Sequence, residues 1–73
     1  MLSIKQIKAA RVMLGWNQQQ LAEAARVSVQ TVQRVEVVGL DHSTAETAAA
    51  VQEALERAGV IFIKNGVQLR KGE

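Results

Sequence analysis

Apolar residues along the chain follow two rhythms, one of three to four positions up to about residue 58 and a different period from Val60 on. Ile4, Ile7, Ala10, Arg11 and Leu14 recur at helical spacing behind Ser3, a capping residue. Gly15 stands where a left-handed residue ends a helix, so the pattern predicts a first helix over about 4–14. Asn17, with Gln20 three positions on, has the form of a capping box and opens a second helix over about 18–25. Ser28 caps a third over about 29–36, with Val32 and Val35 as its inner face. Ser43 and Glu46 spell another capping box. The alanine-rich run behind them carries Ala48, Val51, Leu55 and Ala58 in one stripe and predicts a fourth helix over about 44–58, stopped by Gly59.

From Val60 the segments "VIFIK" and "VQLRK" flank "NG", a β-hairpin pattern, because Asn-Gly tolerates the two positive φ angles of a type I′ turn. A two-residue turn at Asn65 and Gly66 pairs Lys64 with Val67, Phe62 with Leu69 and Val60 with Lys71 on one face. The other face shows Ile61 and Ile63 beside Gln68 and Arg70. A two-stranded sheet is marginal alone. The expectation is a dimer in which the hairpins of two chains join or stack, with Ile61, Phe62 and Ile63 at the interface. The alternative is that a loop or the first helix of the same chain covers the isoleucines.

With 73 residues the chain is expected to form a single domain over 1–73, with a helical core over 1–58 and a hairpin over 59–73. It contains no cysteine, so packing or association must supply the stability that disulfides or thiolate zinc give other small proteins. No apolar run approaches the roughly 18 residues of a membrane span, and "MLSIKQIKAAR" lacks the apolar centre of a signal peptide; the cytoplasm is the expected compartment, without membrane contact. The formal charge of +2 is unevenly spread: residues 1–36 hold five cations against two carboxylates, and the remainder four against five. A basic first half suits a polyanion, although ordinary solvated surface accounts for so small a charge equally well.

Catalytic chemistry has no quorum. His42 is the sole histidine, and Asp41, His42 and Ser43 are adjacent in one loop, where a catalytic triad's convergent geometry is out of reach. One histidine without cysteine gives no metal set. No enzyme activity, metal or cofactor is expected. Trp16 and Phe62, the only aromatics, read as core anchors.

The third predicted helix offers more. Its outward side carries Val29, Gln30, Gln33 and Arg34. Glutamine can read adenine bidentately in a major groove, arginine can read guanine, and Val29 suits a thymine methyl. Asn17, Gln18 and Gln19 lie at a helix amino terminus, where unbonded amides and the helix dipole favour a phosphate. Thr31 either reaches a phosphate or supports the Ser28 cap; Lys5 and Lys8 are unspecific phosphate partners at most.

The motifs "ARVMLGWNQQQLAEAA" and "VSVQTVQRVE" resemble the helix-turn-helix proteins of the lambdoid phage repressor and XRE type, over residues 4 to about 58. The resemblance implies a four-helix repressor-like domain, here followed by a C-terminal β-hairpin. It implies a dimeric, sequence-specific regulator of transcription that binds double-stranded DNA at a two-fold symmetric operator through the third helix. The match to Gln18 contacts phosphate in the family, those to Val29, Gln30, Gln33 and Arg34 face bases or adjoining backbone, and those to Arg11 and Glu36 form an internal ion pair. This chain departs from the pattern at Arg26, where glycine is usual, and at Glu36-Val37-Val38-Gly39, where "E-x-G" is usual. The rival reading is a protein-interaction module, an antitoxin or antiactivator, whose hairpin captures a regulatory protein partner. Sequence-independent nucleoid binding would call for more than nine lysines and arginines.

Overall fold

The computed structural model describes residues 2–40 and 43–70. The loop positions Asp41 and His42 and the pairing expected of Lys71 lie outside them. The elements are α1 (Ile4–Met13), α2 (Gln18–Ala25), α3 (Val29–Val38), α4 (Ala45–Arg57), β1 (Val60–Ile63) and β2 (Gly66–Leu69). The fold is therefore mainly α, four helices followed by a hairpin, as the two rhythms predict.

Helix ends follow the capping chemistry with two shifts. Ser3 with Gln6, and Asn17 with Gln20, form reciprocal capping boxes at the starts of α1 and α2. Helix α4 starts one residue later than expected. Thr44 is its cap, accepting from the Thr47 N–H at 3.1 Å, because the Ser43 hydroxyl donates instead to the Leu40 carbonyl at 2.7 Å. Helix α3 runs two residues past its expected end at Glu36: Val37 and Val38 lower helix propensity only slightly, and the chain leaves the helix at Gly39, φ 90°.

The ends of α1 and α2 are built alike. After α1, the Trp16 N–H donates to the Arg11 carbonyl (3.0 Å) and the Gly15 N–H to that of Val12 (2.9 Å), with Gly15 left-handed at φ 72°. After α2, the Val27 N–H donates to the Ala22 carbonyl (3.0 Å) and the Arg26 N–H to that of Glu23 (3.3 Å). Arg26 occupies the left-handed position there, at φ 59° and ψ 43°. The helix-turn-helix bend thus keeps the geometry that favours glycine while carrying an arginine, at a cost of roughly 1 kcal/mol.

One core holds the helices together. Ile7, Leu21, Val32, Val35, Val51 and Leu55 are its largest fully buried side chains, each contributing roughly 1.5–3 kcal/mol by burial. Ala10, Ala22 and Ala54 fill the gaps, so the helices approach closely. Leu40 and Val60 carry the core to the loop after α3 and to β1.

The hairpin register differs from the one expected. Val60 pairs with Leu69, Ile61 with Gln68, Phe62 with Val67 and Ile63 with Gly66, so the turn residues are Lys64 and Asn65. Asn65 alone takes positive φ, at 65°, where a type I′ turn would have required Gly66 as well. Moving the turn back by one residue shifts each partner by two positions, which preserves the faces. Val60 stays buried, Phe62 and Val67 pack against the core, and Ile61 and Ile63 face outward. Gln6 fastens this hairpin to α1: its Oε1 accepts from the Ser3 N–H in the capping box, while its Nε2 donates to the carbonyls of Ile63 (2.8 Å) and Gly66 (3.1 Å).

Candidate nucleic-acid interface

At 100° per residue, the buried side chains Val32, Val35 and Glu36 occupy one side of α3, and Gln30, Gln33, Arg34 and Val37 fall within an arc of about 100° on the opposite side. All four are exposed. Val29 and Thr31 lie between these arcs and are half-buried. Val29 packs against the core, so it flanks the outward face instead of standing on it. The Thr31 hydroxyl bonds the Ser28 hydroxyl at 2.8 Å, and its N–H donates to Ser28 Oγ, which places Thr31 within the cap. Val37 joins the outward face because α3 runs on to Val38, two residues beyond its expected end.

An ion-paired network holds α3 in place. Arg11 Nε donates to Glu36 Oε2 at 2.7 Å and Arg11 Nη2 to Glu36 Oε1 at 3.1 Å, a two-pronged pair whose carboxylate is only 2 % exposed. Arg11 Nη1 also donates to the Trp16 carbonyl at 3.0 Å, tying the α1–α2 turn to the same group. Gln18 enters this network: its Nε2 donates to Glu36 Oε1 at 3.1 Å. The side chain expected on a phosphate therefore bridges the start of α2 to the end of α3. The N–H groups of Gln18 and Gln19 lie in the first turn of α2, where a helix supplies no intrahelical partner. Asn17 is occupied with its capping box and Gln19 donates to Glu23 at 3.2 Å; both remain exposed, as do Lys5 and Lys8.

A cleft of about 190 Å³ separates α3 from the start of α4, with Arg34 on one wall and Ser43, Thr44 and Thr47 on the other. The threonine hydroxyls bond each other at 3.0 Å, and Ser43 is bonded to Leu40. The exposed apolar side chains of the hairpin are Ile61, Ile63 and Leu69; Phe62, expected beside the isoleucines, lies inward. Among the described residues, no group of three or more His, Cys, Asp or Glu side chains could hold a metal ion, and no helix is long and apolar enough to cross a membrane.

The arrangement presents a rigid helix with amides and a guanidinium outward, beside a second helix's amino terminus. Its chemistry suits base edges and backbone phosphates of a duplex. A family model described as helix-turn-helix matches residues 7–58, from within α1 to the last cap of α4. No curated protein and no solved structure matches the chain.

Proposed function

The chain belongs to the helix-turn-helix family, of the XRE type, a family of DNA-binding regulators, and on that premise we propose that it is a sequence-specific regulator of transcription acting as a dimer on a two-fold symmetric operator. The observation that carries this reading is the division of α3: one side is locked into the core and the Glu36 network, and the other offers Gln30, Gln33 and Arg34 to the outside. Inserted in a major groove, Gln30 and Gln33 read adenine and Arg34 reads guanine, with Val29 at the margin against a thymine methyl. The amino terminus of α2 supplies a phosphate seat through the N–H groups of Gln18 and Gln19, flanked by Asn17. Gln18 acts twice, offering its backbone to DNA while its side chain orients Glu36.

Pairing of chains is assigned to the outer face of the hairpin, where Ile61 and Ile63 are 41 % exposed. Phe62 supports that face from beneath. The same isoleucines serve a foreign partner in the antitoxin or antiactivator reading, which has no use for the polar face of α3.

Selection of bound duplexes from a random pool tests the proposal. A palindromic consensus is expected, with adenine and guanine positions that change when Gln30 or Arg34 is replaced. Absence of enrichment overturns it in favour of the interaction module.

A further inference from the structure

The extension of α3 beyond Glu36 adds a fourth residue to its outward face. Gln30, Gln33, Arg34 and Val37 stand at i, i+3, i+4 and i+7, the spacing by which a single helix lays one continuous stripe along a groove. From Gln30 to Val37 the helix rises about 10 Å, or about three base-pair steps. Val37 is 73 % exposed, the highest value among the exposed large apolar side chains of the described residues. Its neighbours are fixed: Glu36 is held by Arg11 and Gln18, and Val35 is buried, so the isopropyl group is presented from a rigid backbone.

We infer that Val37 is a specificity-determining residue that packs against the 5-methyl group of a thymine at the inner or outer end of each half-site. This inference rests on the DNA-reading function proposed above. An exposed valine offers no hydrogen bond to a phosphate. The one feature of a base edge in the major groove that rewards an apolar group is the thymine methyl. Val29 is half turned into the core, which leaves Val37 as the fully presented apolar group on the stripe.

The test uses the full chain and the site obtained by selection. Each thymine is replaced in turn by deoxyuridine, which removes only the methyl group, and binding is measured for the unchanged protein and for Val37→Ala. One symmetric pair of positions should weaken binding of the unchanged protein about fourfold per half-site, the factor supplied by burial of one methyl group. Val37→Ala should bind the parent site correspondingly more weakly, should be indifferent to deoxyuridine at that pair, and should melt at an unchanged temperature. A selected site at which both proteins respond identically to every deoxyuridine overturns the inference and leaves the DNA-reading function standing. Failure of the unchanged protein to select any site overturns both.

Discussion

The outer face of α3 and the outer face of the hairpin both point away from the core, yet they are chemically opposite. On α3 the exposed residues include two glutamines and an arginine, on a helix clamped by a carboxylate that two other elements hold. On the hairpin they include two isoleucines beside Gln68, on a two-stranded sheet tied down by Val60, Phe62 and the amide of Gln6. A surface of hydrogen-bonding groups on a rigid helix matches a partner whose own donors and acceptors are fixed in space, such as a duplex. A small apolar face on a sheet marginal by itself gains from burial against another apolar face. Under the proposed function, the difference gives one chain two separable surfaces, one for reading and one for pairing.

Changes at the two faces and at their supports should separate these roles. The largest effect is expected from Arg11→Ala, which leaves the Glu36 carboxylate buried with the Gln18 amide alone beside it. Loss of about 3–5 kcal/mol of stability should appear in urea denaturation before any DNA measurement can be made. Next in size is Ile61→Lys combined with Ile63→Lys. Both side chains are exposed, so the fold should survive, while light scattering should show a monomer and affinity for a full operator should fall about a hundredfold through lost bivalency. A persistent dimer would remove the hairpin from the account of pairing.

Gln30→Ala and Arg34→Ala should each cost about 1–3 kcal/mol on the selected site, with melting unchanged. Equal weakening on every sequence would reduce α3 to a backbone contact. The smallest change is expected from Arg26→Gly: replacing a left-handed arginine should raise stability by roughly 1 kcal/mol, less the entropy glycine loses on folding. A lower melting temperature would show that the Arg26 side chain contributes more than its backbone costs.

Capping chemistry and apolar period made the helices legible in the sequence, because both depend on neighbours within one or two turns. The turn at Arg26, where glycine is usual in the family, was legible for the same reason: the helix must end there to place Val27 and Ser28. What escaped were choices made by distant or competing groups. Ser43 and Thr44 are both capable caps, and only the Leu40 carbonyl decides between them. The hairpin turn moved to Lys64 and Asn65, and the docked turn is braced by Gln6, almost 60 positions away. The position of Gln18 favours a phosphate, whereas its bond to Glu36 crosses between helices that the sequence cannot bring together. Phe62 could be assigned to a face of the hairpin, but its packing against the core needs the folded chain.

Binding to a duplex containing a single half-site tests the separation of reading from pairing most directly, because one recognition helix suffices there and pairing adds nothing. Titrated at concentrations where the Ile61→Lys, Ile63→Lys protein is a monomer, that protein should bind the half-site as well as a monomer of the parent sequence does, while Arg34→Ala should lose about tenfold or more. Loss of half-site binding on changing the isoleucines, or its full retention on removing Arg34, would contradict the assignment of the two surfaces.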